Sequence, residues 1–252
     1  MTERQNITDS GNHERLVTHL TAMARQLLTG PDQQVIMETI LTLAPVLVPG
    51  CEETSITMLN RRRPTVLAAS NKIARGADEL QCQLGEGPCL TALAGQDEVL
   101  CNDLSRDNRW LLWGPSAVQE FGLLSILSVR LFADRRTLGS LNLYATQRHA
   151  YDIQARQNAL VLATHSTVAL LRVKEHRDML HGLERRATVG QACGILMERY
   201  QLSASAAFDL LVRVSQNTNT KLHIVAMRLV ETRTSPWLKR PSHGATTAGA
   251  GS

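Results

Sequence analysis

A chain of 252 residues with 43% hydrophobic and 20% charged content has an ordinary globular composition, enough for one large or two modest domains. No run reaches the ~18 apolar residues of a membrane-spanning helix. The polar start "MTERQNITDSGNHER" lacks the basic lead and apolar centre of a secretory signal, so a cytoplasmic protein without a membrane partner is expected. The net charge of +4 is unevenly spread: residues 1–171 carry 15 basic and 17 acidic side chains, net −2, whereas 172–252 carry 12 and 6, net +6. That asymmetry marks the C-terminal third as the contact for a polyanion, unless it is only a solvated basic face.

Residues 1–14 have little to bury and are expected to be disordered. From Leu16 to Leu47 apolar residues recur at helical spacing. "TGPD" at 29–32 breaks the pattern, with Asp32 placed to cap the second of two helices. After Pro49 and Gly50 the texture turns to short β-branched or alternating runs: "TSITML" at 54–59, "TVLAAS" at 65–70, "EVLCNDL" at 98–104, "ILSVRLF" at 126–132 and "LGSLNLYA" at 138–145. Turn-forming segments between them predict an antiparallel sheet. In "LSVRLF" the residues Leu127, Val129 and Leu131 share one face and Ser128 and Arg130 the other, so one face is expected to be buried against helices.

Between the strands lies "LGEGPCLTALAGQDEVLCNDLSRDNRW". Gly85, Gly87 and Pro88 make a turn, and "PCLTALAG" starts a short helix with proline in its first turn, where a missing N–H costs nothing. The N-terminus of that helix suits a carboxylate or phosphate; a plain strand-to-helix corner is the alternative. Gly85, Gly87, Cys89 and Cys101 are thus the candidate ligand-pocket residues. The five cysteines form no CxxC pair and have no histidine at ligand spacing, so they read as reduced and mostly buried, with no metal site. An oxidant-sensing role for Cys89 or Cys101 lacks an activating base nearby in sequence.

From Asp152 the pattern is helical and free of proline as far as Pro236. Val173, Leu180, Ala187 and Gly194 repeat every seven residues, with His176, Leu183, Gly190 and Met197 between them, a modest coiled-coil seam. An amphipathic helix packed within one chain also carries an apolar stripe. A helix from about 153 to 199 is ~70 Å long, however, more than one small domain covers, which favours a parallel homodimer. Gly190 and Gly194 each cost a helix ~0.8–1 kcal/mol relative to alanine. On the seam they would let two chains, or two helices of a bundle, approach closely.

Ser203 is a good N-cap for "ASAAFDLLVRVSQ", and "NTNT" at 217–220 separates it from "KLHIVAMRLVETR". Ala207, Leu210, Leu211 and Val214 face Leu222, Val225, Ala226, Leu229 and Val230, and Val189, Cys193, Leu196 and Tyr200 complete a three-helix core. Lys221 and Arg228 lie seven apart on an outer face, with Arg213 on the preceding helix and Arg185 and Arg186 at the entrance. These cations suit RNA phosphates. The alternative is pairing of Asp209 with Arg213 and of Glu231 with Arg228 along their helices.

The stretch "RRATVGQACGILMERYQLSASAAFDLLVRVSQNTNTKLHIVAMRLV" closely resembles the ANTAR domain, a helical RNA-binding module of bacterial antiterminators, over about 180–232. "LGEGPCLTAL", "DNRW", "LGSLNLYA" and "AYD" resemble the GAF sensor domains that precede ANTAR modules in actinobacterial proteins. The fold implied is α+β: a GAF-like antiparallel sheet with flanking helices over 15–171, a coiled-coil linker helix over 172–187, and a three-helix bundle over 180–232. A tail at 233–252, including "SPWLKRPSHGATTAGAGS", is expected to be disordered.

The function implied is transcription antitermination: an ANTAR dimer grips hairpin RNA in a nascent transcript and prevents a terminator from forming, under control of a GAF sensor domain for which the resemblance names no small-molecule ligand, since GAF domains take cyclic nucleotides, small metabolites, haem or nothing. Arg186, Lys221 and Arg213 match basic positions of the family pattern, and Gln191, Ser215 and Asn219 match polar ones. With Arg228 from the charge pattern, the expected RNA-binding set is Arg186, Gln191, Arg213, Asn219, Lys221 and Arg228. Cys193, Val212 and His223 with Ile224 depart from the pattern, which would weaken RNA affinity or narrow its targets. No cofactor is implied, and haem is disfavoured because no histidine lies between residues 20 and 148. No catalytic constellation stands out, so an enzyme is not expected. The alternative function is a dimeric sensor that signals to another protein without binding RNA.

Overall fold

The computed structural model describes Thr18, Thr21 and residues 32–232 except Arg62 and Arg135. Thr18 and Thr21 are helical, but the rest of the first expected helix, the N-terminal 1–14 and the tail 233–252 lie outside the described residues. The fold is α+β. In chain order the elements are α1 (Gln33–Leu47), β1 (Glu53–Asn60), β2 (Arg63–Ala69), α2 (Lys72–Leu84), α3 (Pro88–Leu93), β3 (Glu98–Cys101) and α4 (Trp113–Phe121). They continue with β4 (Ser125–Ala133), β5 (Arg136–Ala145), α5 (Ile153–Tyr200), α6 (Ala204–Asn217) and α7 (Leu222–Thr232). Two compact units meet in sequence between His176 and Arg177, inside α5.

In the first unit five strands form one sheet in the order β2-β1-β5-β4-β3, every neighbouring pair antiparallel. All five strands coincide with the alternating runs read from the sequence. Asp32 caps α1 by accepting from the Gln34 N–H at 2.8 Å, and Asp152 accepts from the Ala155 N–H at 2.8 Å at the start of α5. Ile36, Ile40, Leu43 and Leu47 of α1 and Ala155, Ala159, Leu162 and Ala163 of α5 pack on one sheet face. That face presents Ile56, Leu127, Val129, Leu131, Leu141 and Leu143. Continuous burial of this kind is the main source of the unit's stability, at about 25 cal/mol per Å² of apolar surface removed from water.

The opposite face departs from the expectation of a single buried side. Ser128 is fully buried there, on a face covered by α2 and α3, with α4 packed on α2. α2 and α4 were not anticipated. The inward face of α2 is Ala74, Ala77, Asp78 and Gln81, at helical spacing but small and polar, so it leaves no apolar periodicity in the sequence. α4 opens with "WGPS", which reads as a turn.

The second unit is the three-helix bundle that the stripes predict. Ser203 caps α6, accepting from the Ala206 N–H at 3.2 Å. Ala192 and Leu196 of α5, Ala207 and Leu211 of α6, and Val225, Ala226 and Leu229 of α7 form its core. Val189, Cys193 and Tyr200 pack at its margin rather than its centre, because Ala192 faces inward in their place. A Cβ built on Gly190 or Gly194 meets no atom within 4 Å, so these glycines do not bring helices of the bundle together. Gly190→Ala is therefore expected to stabilise the bundle by ~0.8–1 kcal/mol, read as a higher denaturation midpoint at unchanged slope.

Candidate functional site

Two candidate sites arise, one in each unit. In the first, the covered face of the sheet carries a band of polar side chains. Ser55 and Thr57 of β1 stand beside Asn142 and Ser140 of β5, which stand beside Ser128 and Arg130 of β4. Asp78 reaches down from α2 as the hub. Its Oδ2 accepts from Ser55 Oγ at 2.5 Å and Thr57 Oγ1 at 2.8 Å. Its Oδ1 accepts from Gln81 Nε2 at 3.2 Å and from the Tyr144 hydroxyl, and Asn142 Nδ2 lies 3.0 Å from both oxygens. Burial, the largest influence, pushes the Asp78 carboxyl above its usual range, against the pull of these donors. Burial and the neighbouring Asp78 together drive the Tyr144 phenol well above its ordinary value.

Not every polar atom in the band is satisfied. Among the described residues, four buried side-chain atoms have no hydrogen-bond partner, and three of them, Ser128 Oγ, Arg130 Nε and Asn142 Oδ1, belong to this face. Ser128 and Asn142 are cross-strand partners, and Arg130 is two residues further along β4. An unpaired buried polar atom costs about 1–3 kcal/mol, so three in one row leave this band with unmet hydrogen-bonding capacity.

The predicted pocket residues divide around this polar band. Gly85, left-handed at φ 74°, ends α2 with nothing near its absent Cβ. Gly87 has φ 139°, and a Cβ there would fall 2.2 Å from Gln81 Oε1. That close approach lets Gln81 Oε1 accept from the Cys89 N–H at 2.8 Å. The Cys89 N–H at the α3 N-terminus is thus bonded within the chain, and the corner joins two helices, α2 and α3, not the strand and helix of the sequence reading. Glu86, between the two glycines, accepts from the Leu112 and Trp113 N–H groups at 2.6 and 2.7 Å and so caps α4.

Cys89 is buried beside the polar band with its thiol 3.1 Å from Ser140 Oγ. Burial and the Asp78 charge push that thiol upward. Cys101 is buried on β3, where burial first and then Asp107 push its thiol up to about 12. Neither provides the low-pKa thiolate of an oxidant sensor. The "DNRW" motif ties the covering loop down: the Arg109 guanidinium grips Asp107 at 2.6 Å, donates to the Leu100 carbonyl at 2.6 Å and lies 4.3 Å from the Trp110 ring centre. Trp110 Nε1 donates to Thr91 at 3.2 Å and Trp113 Nε1 to the Ala77 carbonyl at 3.0 Å. Sequence reading missed Asp78, Gln81 and Asn142, although a mid-helix aspartate and glutamine three residues apart offered a weak signal.

In the second unit all six predicted RNA-binding residues, Arg186, Gln191, Arg213, Asn219, Lys221 and Arg228, are exposed. Neither expected neutralising pair forms: Arg213 makes no ion pair with Asp209, nor Arg228 with Glu231. Asn219 holds a left-handed backbone at φ 47° in the α6–α7 connection, a conformation asparagine tolerates well. Ser215 donates to the Thr220 carbonyl at 2.6 Å and locks the same turn. For these two residues the polar identity is accounted for by the turn itself. Among the described residues no cluster of three or more His, Cys, Asp or Glu side chains is placed to hold a metal ion, and no helix is long and apolar enough to cross a membrane.

A sensor-type α+β unit followed by a basic helical bundle is the class these features define. The chain belongs to the GAF domain family: the GAF domain model matches residues 31–171, and the ANTAR domain model matches 177–230. The architecture is that of a signal-regulated ANTAR-type regulator. Among solved structures, the chain is similar to the GAF domain of an Acinetobacter phosphoenolpyruvate-protein phosphotransferase, at 14% identity and TM-score 0.48, covering 65% of this chain and 98% of that one. It is also similar to a free methionine-R-sulfoxide reductase from Neisseria meningitidis, at 15% identity and TM-score 0.48, covering 65% and 90%. A domain of a sensor histidine kinase protein from Sinorhizobium meliloti 1021 matches at 13% identity and TM-score 0.47, covering 59% and 96%. No curated protein matches the chain.

Proposed function

We propose that this chain is a dimeric, cytoplasmic antitermination regulator, not an enzyme, whose ANTAR bundle binds hairpin RNA in nascent transcripts under control of its GAF domain. The observation that carries this reading is the exposure of Arg186, Arg213, Lys221 and Arg228 without a salt bridge among the described residues. Cations without a protein partner bind phosphates with release of condensed counterions and need not first break an ion pair. The row of unpaired atoms at Ser128, Arg130 and Asn142 supports the GAF unit as the receiver of a small polar signal. Dimerisation is supported by two positions of the α5 seam, Leu180 and Leu183, which are 45% and 54% exposed, whereas Val173 at the start of the seam is buried in the core of the first unit.

The test is titration with a two-hairpin RNA at two salt concentrations. Binding is expected to weaken steeply with salt. Arg213→Ala with Lys221→Ala is expected to reduce affinity about tenfold or more at low salt and to make the log–log salt slope shallower by about 1.5. No saturable binding at low salt would sink the RNA reading and leave the sensor that signals to another protein. For the dimer, Leu180→Lys with Leu183→Lys is expected to halve the mass measured by light scattering. A dimer indifferent to changes within 172–187 would remove this helix as the coupling element.

A further inference from the structure

The bundle carries a groove of about 670 Å³ lined by Gln191, Gly194, Ile195, Glu198 and Arg199 of α5 and by Val230 of α7. That volume lies within the roughly 300–1,000 Å³ of small-ligand sites. Gln191, Ile195 and Glu198 share one face of α5 by their spacing of four and three residues. Ile195 and Val230 are half-buried and make an apolar wall, whereas Gln191, Gly194, Glu198 and Arg199 are exposed. A Cβ built on Gly194 meets no atom within 4 Å, so the packing of the bundle does not call for a glycine that costs the helix ~1 kcal/mol. What the missing side chain does permit is close approach of an outside group to the helix backbone.

The rim narrows the choice of that group. Glu198 is an anion that only accepts hydrogen bonds, Arg199 a cation that only donates, and Gln191 an amide that does both. A run of phosphates would be drawn to Arg199 but repelled by Glu198. A purely apolar side chain would cover Ile195 and Val230 and leave all three polar groups unused. A flat heterocycle with N–H groups on its edge and a single phosphate behind it uses every part of the lining.

We infer that this groove seats one unstacked nucleobase from an RNA hairpin loop, its face over Gly194 against Ile195 and Val230, its N–H edge on Glu198 and Gln191, and its phosphate toward Arg199. This role rests on RNA binding by the bundle and adds sequence discrimination to it. The exposed cations Arg186, Arg213, Lys221 and Arg228 hold phosphates whatever the sequence, whereas a base edge carries identity. Bases splayed out of loops are the part of an RNA whose edges a protein can reach.

Fluorescence anisotropy of the full chain with a labelled two-hairpin RNA, and with copies in which each loop nucleotide in turn is made abasic, tests this. In the unaltered chain, removal of one loop base is expected to weaken binding about tenfold. Gly194→Leu projects into open space and keeps the fold, checked by unchanged helical circular dichroism. It is expected to bind the intact RNA about tenfold more weakly and to treat that abasic copy like the intact one. Glu198→Lys separates base from backbone: an added cation tightens a contact made through phosphates alone, whereas loss of the edge acceptor is expected to bring the intact-to-abasic ratio close to one. Arg213→Ala with Lys221→Ala is expected to make the salt slope shallower and leave that ratio unchanged. Discrimination that survives both Gly194→Leu and Glu198→Lys, or none in the unaltered chain, would overturn the inference and leave RNA binding standing. No saturable binding at low salt would remove RNA as the partner and this seat with it. A halved mass for Gly194→Leu in light scattering would give the groove to a second copy of the chain and overturn the inference as well.

Discussion

Asp78→Ala is expected to destabilise the first unit by about 3 kcal/mol or more. The carboxylate serves Ser55, Thr57, Gln81, Asn142 and Tyr144, every one of them fully buried. Alanine removes the shared acceptor; Gln81 Nε2 keeps the Tyr144 hydroxyl and Asn142 Nδ2 keeps Ser55 Oγ, while the Ser55, Thr57 and Tyr144 hydroxyls lose the acceptor they donate to. Some will pair with one another, so the total is smaller than five separate penalties of 1–3 kcal/mol. Urea unfolding followed by near-ultraviolet circular dichroism reads this directly, because Trp110 and Trp113 belong to the same hydrophobic cluster as Tyr144. Asp78→Asn keeps one acceptor oxygen and is expected to fall between the two. Wild-type stability in Asp78→Ala would show that the hub does not hold the polar band together.

Gly87→Ala is expected to cost about 2–3 kcal/mol, from a forced left-handed backbone and a steric clash acting together. The added carbon would sit 2.2, 2.5 and 2.6 Å from Oε1, Cγ and Cδ of Gln81. Gln81 cannot swing aside without releasing the Cys89 N–H, Asp78 and Tyr144. Gly85→Ala supplies the control: φ there is also positive, at 74°, but no atom lies within 4 Å, so only the backbone cost of ~1 kcal/mol is expected. Equal destabilisation by the two substitutions would show that contact with Gln81 is immaterial and that backbone strain is the whole effect.

The elements that were legible in sequence are those whose neighbours are written nearby. The five strands alternate, α5 shows an unbroken helical pattern, and Ser203 and Asp32 announce the helices they cap. What was not legible depends on distant partners. Asp78 is intelligible only beside Asn142 and Tyr144, which are 64 and 66 residues away, and α2 conceals its buried face because that face is made of alanine, aspartate and glutamine. The short helix after Pro88 offered an anion site in sequence, but a glutamine seven residues earlier fills that role through its side chain. In the bundle the positions of the cations were readable, whereas their freedom from Asp209 and Glu231 required the geometry.

The strand order β2-β1-β5-β4-β3 also sets a timetable for synthesis. β1 pairs with β2 as soon as that hairpin leaves the ribosome, but its other edge must wait for β5, and 75 residues separate Asn60 from Arg136. At roughly 5–20 residues per second that edge stays open for about 4 to 15 seconds, time enough for a flat apolar strand to find another nascent chain. Ser55 and Thr57, the side chains that later bond Asp78, cover one face of the waiting strand with hydroxyls. The polar band that equips the finished domain therefore also makes its unfinished form a poor template for aggregation.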